Sequence, residues 1–372
     1  MDNLTHSLVG LAAAKAGLER TSPLATTICV VAANAPDADI VVLFAGPSEY
    51  LEHHRGITHS IVGTLALALL LPAIFYGIER LVARFRGAEP RARFGGLLVS
   101  SLALSASHPL LDWTNSYGVR PLLPWSAQWF YGDLVFVLDP WIWLFVGGAC
   151  FLLTANTRPR LLAWATLALV LSAAVLLLPL RAGLGIPFGA RVLWVFGIIA
   201  LVLLHRSKIA SRGGVAVASM ALALLVAYWG AIALIHARAH QRARVVAGQG
   251  AAENGETLLR IAAMPVLSDP TVWRCIAETN RATVRFDLTL GTGQSGTGVS
   301  NTVRIEKPQG EDGKLVERAA EDSRAEIFLG FARFPVTSLA RSCAGETIVQ
   351  FADLRFTEPG GGGSFTVEVP AK

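Results

Sequence analysis

The chain has 372 residues, of which 53% are hydrophobic and only 16% are charged, and its formal net charge is +5. Soluble globular proteins carry about 25% charged residues, so this composition predicts a membrane protein and argues against a soluble one. The basic residues do not form a stripe with interleaved aromatic residues, so we expect no nucleic-acid binding.

The first 36 residues contain two short apolar segments, at about 5–18 and 24–36, which predict a tight helical hairpin turning near Arg20. At about 1.5 Å per residue, neither segment comfortably crosses roughly 30 Å of hydrocarbon. We therefore expect partial or protein-buried helices, with Pro36 ending the second. No basic region precedes an apolar core here, so we expect no cleavable signal peptide.

Six longer apolar runs follow, each close to the 20 residues that a membrane span requires, allowing for a short one. They cover residues 60–82, 95–115, 134–154, 161–180, 190–205 and 214–236. Asp139 lies within the third run, where a carboxylate needs a buried partner. The pattern predicts a polytopic transmembrane helical bundle.

The orientation of these spans follows from loop charge. The loop after the first long run contains five arginines between Arg80 and Arg93, and the positive-inside rule places it in the cytoplasm. The C-terminal region then lies on the periplasmic side of the inner membrane. Arg238, Arg242 and Arg244 follow the last span and argue for the opposite orientation, but the earlier loops are short and agree with one another.

The sequence changes character after about residue 245. Short runs with partial alternation of apolar and polar residues predict strands. They cover residues 256–266, 283–290, 302–306, 326–334, 346–351 and 364–369. We therefore predict a membrane-embedded helical domain over residues 1–244 and a small, mostly β, extracytoplasmic domain over residues 245–372. In the second domain, Cys275 and Cys343 either form a disulfide or remain separate buried thiols.

Histidine and aspartate residues lie near the ends of the predicted spans. They are His6 in the first short helix, Asp37 and Asp39 after the second, His53, His54 and His59 before the first long run, and His108 and Asp112 in the second. With the arginine-rich loop and the hairpin turn inside, all of them reach the outer side. Imidazole and carboxylate groups hold Zn²⁺ and similar divalent metals. Their convergence predicts one metal site at the outer membrane face.

The spacing within the motifs is compatible with this site. His108 and Asp112 are four residues apart, so on a helix both point from one face. Pro109 suits a first helical turn, which makes His108 the cap of a short helix. Asp37 and Asp39 share one side of an extended segment. The ordinary alternatives are that His108 is a histidine with satisfied hydrogen bonds, that Asp112 caps a helix, and that Asp37 and Asp39 belong to an Asp-rich turn.

The stretch from residue 53 to residue 60 contains three histidines and an arginine. We expect His54 and His59 to bind metal and His53 to be exposed or only indirectly involved. Arg55 is a poor metal ligand but a good clamp for a phosphate or a carboxylate. Thr58 suits the cap of the helix that begins near His59. A histidine-rich surface loop is the alternative interpretation.

Together, these motifs resemble a bacterial family of membrane-bound metal-dependent hydrolases (YdjM-like). The similarity covers about residues 1–145, and its motifs are Thr5-His6-Ser7, Pro36-Asp37-Ala38-Asp39, His54-Arg55-Gly56-Ile57-Thr58-His59-Ser60 and His108-Pro109-Leu110-Leu111-Asp112. The resemblance implies a polytopic inner-membrane protein, a metal-dependent hydrolase activity and metal ligands at the matching positions. The His-x₃-Asp pair is more distantly similar to the sites of zinc-dependent phospholipase C and P1-type nucleases, whose additional His and Glu ligands we do not find here.

We therefore predict a mainly α membrane protein that hydrolyses a phosphoester or lipid-linked substrate with one or two divalent metals, zinc being the first choice. The metal would lower the pKa of a bound water toward about 7. The predicted ligands are His6, Asp37, His54, His59, His108 and Asp112, with Asp39 as a ligand or general base and Arg55 as the anion clamp. Membrane lipids are the expected partners.

Two other functions use the same residue types. A divalent-metal transporter would place its ligands near the bilayer midplane on broken helices, whereas these residues cluster at span ends. A non-enzymatic membrane assembly protein would keep the metal as a structural clip with a closed coordination shell.

Overall fold

The computed structural model of the protein describes residues 1–182, 186–208, 213–291, 298–341 and 346–371. The chain forms two compact units. The first unit contains Met1–Ala38, Ile57–Ala233 and Pro265–Pro270, and the second contains Asp39–Gly56, Leu234–Met264 and Thr271–Lys372.

The first unit begins with the predicted helical hairpin. Its helices are α1 (Asn3–Lys15) and α2 (Ala25–Asn34). They approach closely, because a Cβ atom on Gly10 would lie only 2.8 Å from the carbonyl oxygen of Cys29. Helix α2 ends before Pro36, but a 3-10 segment continues the chain through Ala35–Ala45. The combined apolar segment Ala25–Ala45 has 21 residues, so the expectation that the second short segment cannot cross a membrane was wrong, whereas α1, with 13 residues, is not among the candidate spans.

The longer helices confirm a polytopic helical bundle. The helices that follow along the chain are α3 (Pro47–His53), α4 (Ile61–Phe85), α5 (Phe94–Trp113), α6 (Pro140–Thr154), α7 (Arg158–Ala182), α8 (Phe188–Ser207) and α9 (Val215–Glu253). With Ala25–Ala45, helices α4, α5, α7, α8 and α9 make six segments of the described chain that are long and apolar enough to cross a membrane. Leu65, Leu69 and Ile78 on α4 are about half exposed. Such a row of exposed leucine and isoleucine suits contact with lipid.

The third predicted run differs from its expected extent. Helix α6 begins only at Pro140, because Asp139 caps it and Pro140 occupies its first turn. The Oδ1 atom of Asp139 accepts hydrogen bonds from the backbone N–H groups of Trp141 and Ile142. The helix is therefore too short to count among the six candidate spans.

The last membrane helix leads without a break into the polar C-terminal region. Helix α9 has 39 residues, which corresponds to about 58 Å, nearly twice the thickness of the hydrocarbon core. The predicted domain boundary between residues 244 and 245 falls inside this helix. Within this helix, the residues from Leu234 onward belong to the second unit.

The second unit contains two antiparallel sheets around one apolar core. The strands are β1 (Leu258–Val266), β2 (Asp269–Thr279), β3 (Ala282–Thr289) and β4 (Val299–Glu306) in one sheet, and β5 (Pro335–Arg341), β6 (Thr347–Asp353) and β7 (Thr366–Pro370) in the other. The order in each sheet follows the chain. Met264 and Ile276 of the first sheet share a buried cluster with Val336 and Ala352 of the second. The predicted C-terminal β domain is thus confirmed.

One predicted strand, at residues 326–334, is instead mainly helical. Helices α10 (Gly310–Ala319) and α11 (Ser323–Phe331) connect the two sheets along the chain. Asp322 caps α11 by accepting the backbone N–H of Arg324. Ala325, Phe328 and Phe331 are buried at intervals of three, which is the spacing of a helical face. The strands β2 and β5 were not predicted.

The described residues do not test whether the two cysteines of the second unit form a disulfide or remain separate thiols. Cys275 is a buried free thiol in β2. Cys343 lies outside the described residues, so the pairing of these two cysteines stays a prediction.

Candidate metal centre

Four of the predicted ligands meet within the first unit. They are Asp37 in the 3-10 segment after α2, His59 just before α4, and His108 and Asp112 near the end of α5. Each contributes one ligand atom to a group in which all these atoms lie within 4.8 Å of one another. Three of the side chains are completely buried, and Asp37 is 12% exposed. The arrangement brings together residues that are up to 75 positions apart in the sequence.

Short distances join the imidazoles to the carboxylates. The Nε2 atom of His59 lies 3.3 Å from Asp37 Oδ1 and 3.2 Å from Asp112 Oδ2. The Nε2 atom of His108 lies 3.4 Å from each of the same two oxygens. The two Nε2 atoms are 3.1 Å apart. Both rings therefore direct the same nitrogen toward one point.

The tautomer of His108 follows from its backbone contact. Its Nδ1 atom lies 2.6 Å from the carbonyl oxygen of Ala33, which can only accept a hydrogen bond. In the neutral ring Nδ1 carries the proton, so Nε2 presents a lone pair to the centre. Such a contact to a backbone carbonyl is typical of metal-bound histidine.

His59 has an equivalent neighbour in Thr58. The Thr58 hydroxyl lies 3.1 Å from His59 Nδ1 and can accept its proton, which leaves Nε2 free to bind a metal. The sequence analysis assigned Thr58 a different role, as a helix cap. Ser60 takes that role, because its hydroxyl accepts the backbone N–H of Gly63 at the start of α4. The position of Thr58 next to a histidine was the only sequence signal for its contact.

The distances between the ligand atoms fit tetrahedral coordination of a metal ion. Zinc bonds to nitrogen and oxygen of about 2.0–2.2 Å hold tetrahedral ligand atoms about 3.3–3.6 Å apart. The five nitrogen–nitrogen and nitrogen–oxygen distances lie between 3.1 and 3.4 Å. Two carboxylates and two imidazole lone pairs facing one point also repel one another unless a cation lies between them. The donor set therefore fits a divalent metal.

His6 lies beside this group. Its ring stacks on His108, with centroids 3.8 Å apart and planes inclined by 15°. Its Nε2 atom is 3.4 Å from Asp112 Oδ1, which is the carboxylate oxygen that also contacts the α-ammonium group of Met1. His6 is thus placed at the oxygen of Asp112 that faces away from His59 and His108.

Hydrogen bonds elsewhere in the first unit hold α1 and α6 in place. Trp143 donates its indole N–H to Thr5, the residue before His6, at 3.1 Å. Asp139 Oδ2 accepts a hydrogen bond from the hydroxyl of Tyr228 at 2.8 Å, which supplies the partner that the sequence analysis required. The packing of α6 against α1 therefore supports the position of His6.

His108 lies inside a helix and does not cap one. Helix α5 runs through both His108 and Pro109 to Trp113, so the expectation of a short helix starting at Pro109 was wrong. A proline inside a helix removes one backbone hydrogen bond, which surrounding packing in a membrane protein can offset. The predicted sharing of one helix face by His108 and Asp112 is correct.

Three predicted site residues belong to the second unit. The Nδ1 atom of His54 lies 2.9 Å from Asp39 Oδ1, and the backbone N–H of Arg55 donates to Asp39 Oδ2 at 2.9 Å. Tyr50 stacks on His54 with ring centroids 4.6 Å apart. Arg55 adopts a positive φ of 53° at this turn. The metal-binding or catalytic roles of His54, Asp39 and Arg55 stay predictions.

The candidate centre and the arginine-rich loop lie at opposite ends of the α4–α5 helix pair. His59 lies two residues before the start of α4, and Asp112 is one residue from the end of α5, whereas Arg80–Arg93 contains the connection between them. The guanidinium of Arg93 donates to the backbone carbonyl of Arg20 at 2.8 Å. The turn near Arg20 thus lies at the arginine-rich end, as the sequence analysis assumed.

Comparison with known proteins agrees with this description. Residues 1–178 match the model of the YdjM inner membrane protein family, which confirms the resemblance read from the motifs. The Bacillus subtilis (strain 168) protein called "Uncharacterized protein YfhP" is 30% identical over 154 residues, covering 39% of this chain and 43% of that protein. The chain thus spans less than half the length of this curated relative. No solved structure matches the chain significantly. The family match and the six apolar helices fit a multi-pass inner-membrane protein.

Proposed function

We propose that the protein is a membrane-bound hydrolase that depends on a divalent metal, with zinc as the first choice. The observation that carries this proposal is the set of five donor distances, between 3.1 and 3.4 Å, which are close to five of the six edges of a tetrahedral site. Oxygen and imidazole nitrogen donors without thiolate suit zinc and similar borderline ions.

The side chains of the centre have distinct tasks in this proposal. His59, His108 and Asp112 are fully buried and hold the ion, while Asp37, at 12% exposure, marks the side from which water and substrate enter. A bound divalent ion supplies a water of lowered pKa and polarises the oxygen of the substrate. His6 faces the second oxygen of Asp112 and is placed to orient that carboxylate. The roles of Asp39 as a ligand or general base and of Arg55 as an anion clamp stay predictions.

The position of the centre favours a lipid or lipid-linked phosphoester as substrate. His59 and Asp112 lie at the ends of two candidate membrane spans, where lipid headgroups meet water. Soluble substrates have no need of a site at that depth. The proposed orientation puts the centre on the periplasmic side, because the arginine-rich loop lies at the other end of α4 and α5.

A second candidate function is a non-enzymatic membrane protein with a structural metal. Four side chains complete a tetrahedral shell, which is typical of structural zinc sites, whereas catalytic sites usually leave one position to water. For the enzyme, we propose that the more exposed Asp37 yields its position to water or that the ion becomes five-coordinate.

The decisive experiment combines metal analysis with hydrolysis tests on the purified protein in lipid. We expect about one zinc or similar ion per chain and metal-dependent hydrolysis of a phospholipid or a model phosphoester. His205→Ala is a matched control, since His205 lies at the end of α8 and is in none of the groups of possible metal ligands found among the described residues. Bound metal without hydrolysis of any phosphoester would favour the structural role, and absence of bound metal would contradict both candidates.

The proposed orientation of the chain in the membrane has its own test. A reporter fused at the C-terminal end should be active only if it is of the periplasmic type. Activity of a cytoplasmic reporter at that position would reverse the proposed orientation and make a disulfide between Cys275 and Cys343 implausible.

A further inference from the structure

An apolar cavity of about 150 Å³ lies within the first unit, between α1, α6, α7 and α8. Helix α1 contributes Leu8, and α6 contributes Trp143 and Phe151. Helix α7 contributes Leu171, and α8 contributes Trp194 and Leu201. Among the described residues, no histidine, aspartate or other charged side chain lines it. The cavity is therefore separate in chemistry from the candidate metal centre.

The lining of the cavity by the described side chains is almost entirely apolar. The three tryptophans in its wall all donate their indole N–H groups within the protein, Trp143 to Thr5, Trp164 to Thr154 and Trp194 to Ser172. Water needs two to four polar partners in a cavity, whereas apolar cavities of about 150 Å³ stay dry and bind benzene-sized molecules. Only a hydrocarbon group suits this space.

Small residues keep the cavity open. Gly147 and Gly148 of α6 and Ala168 of α7 line it. A Cβ atom on Gly148 would lie 2.7 Å from a methyl carbon of Leu201, and one on Gly147 would lie 3.2 Å from Leu8. Larger side chains at these positions would occupy the space or push its walls apart.

The surroundings of the cavity identify its occupant. Helices α7 and α8 contain candidate membrane spans, and Leu162, Leu169 and Phe196 on them are more than 60% exposed. Leu161 and Val202 line the cavity and are also 41% and 43% exposed, so the cavity wall reaches the lipid-facing surface. The medium at that surface is the hydrocarbon of the bilayer.

We propose that this cavity binds a hydrocarbon chain of a membrane lipid. The chain enters between α7 and α8 and packs against Leu8 of α1. Leu8 is two residues from His6, so the two side chains point to opposite sides of α1. An occupied cavity therefore supports the helix that carries His6 from the side away from the metal centre. This lipid site does not require hydrolase activity.

Photo-cross-linking of the full chain in vesicles tests the proposal. The probe is a phosphatidylcholine with a diazirine on one acyl chain, and cross-linked residues are identified by mass spectrometry. Leu8, Trp143 and Trp194 are at most 8% exposed, so lipid at the outer surface cannot label them. We expect strong labelling at these positions. Labelling confined to exposed residues such as Leu162 and Leu169 would overturn the proposal.

Substitutions within α7 provide the matched comparison. Ala168→Leu fills the cavity and should lower labelling of Leu8 and Trp143 at least several-fold, while Ala163→Leu on the exposed side of the same helix should leave it unchanged. Thermal unfolding of both variants checks that they fold. Equal labelling in the two folded variants would also overturn the proposal. Asp112→Asn should retain the labelling, which separates this lipid site from the proposed metal chemistry.

Discussion

Buried carboxylates are neutralised in different ways in the two units of the molecule. In the second unit, Asp353 and Arg355 are both fully buried and joined by a salt bridge with a distance of 2.6 Å. In the first unit, one oxygen each of Asp37 and Asp112 faces two imidazoles, and His108 presents a lone pair there. Arg355 supplies the counter-charge in the second unit, whereas in the first the α-ammonium group of Met1 contacts Oδ1 of Asp112, and Oδ2 of Asp112 and Oδ1 of Asp37 face the imidazoles. A buried carboxylate oxygen is thus a functional candidate when the atoms that it faces are metal ligands and not permanent cations.

The largest expected effect comes from Asp112→Asn. The substitution keeps the size of the side chain but removes the negative charge that attracts a divalent cation. We expect loss of bound metal and a fall in hydrolysis greater than the 10- to 100-fold typical of residues that only support ligands. Metal analysis and hydrolysis rates on the membrane-inserted protein measure both.

The same variant separates the two candidate functions. If the metal is a structural clip, unfolding temperature should fall together with metal content, because metal binding there is part of the folding free energy. If the site is catalytic, insertion and folding should persist without activity. Unchanged metal content, stability and activity would refute both and leave this end of α5 as an ordinary helix end.

Asp353→Ala tests how the buried carboxylate of the second unit is neutralised. It leaves the buried guanidinium of Arg355 without its carboxylate, and breaking a buried pair in this way costs about 3–5 kcal/mol. Unfolding of the full chain by denaturant should show this loss in the second unit, with metal content unchanged. Loss of bound metal in Asp353→Ala would contradict the conclusion that Asp353 and the carboxylates of the metal centre are neutralised independently.

Thr58→Val should weaken metal binding without abolishing it. The change removes the hydroxyl beside His59 Nδ1 but keeps the shape of the side chain. Residues that orient metal ligands contribute about 10- to 100-fold to affinity, so we expect a loss of that size in a metal competition assay. Thr58→Ser should restore most of the affinity. Identical affinities for all three proteins would show that Thr58 does not orient His59.

The smallest effect concerns the pH dependence of the second unit. Burial tends to raise the pKa of Glu278, but hydrogen bonds from Lys307 and Arg260 outweigh it and hold this pKa below the ordinary value of 4.5. A lowered folded-state pKa adds stability above pH 4.5 that is lost as the pH falls through the folded-state value.

We expect the stability difference between wild type and Glu278→Gln to shrink on acidification, by less than about 1 kcal/mol because these groups are partly solvated. Denaturant unfolding of both proteins between pH 3 and pH 7 measures it. A difference that grows toward acid would contradict the lowered pKa.

The sequence by itself determined the class of the protein and most of its ligand set. Long apolar runs can be satisfied only in a bilayer or a large core, so α4, α5, α7, α8 and α9 follow from composition and length. His59, His108 and Asp112 stand out because ionisable groups near spans are costly without a partner. The motifs also carried the family resemblance that the match over residues 1–178 confirms.

Only the tertiary structure decided how these residues are grouped and oriented. The carbonyl of Ala33, which sets the tautomer of His108 from 75 residues away, carries no side-chain signal in the sequence. Local patterns likewise missed that Asp139 delays the start of α6 and that residues 323–331 form a helix. Hydrophobic periodicity and residue propensity describe neighbours along the chain, whereas the ligand distances and the apolar cavity depend on packing between helices that are distant in sequence.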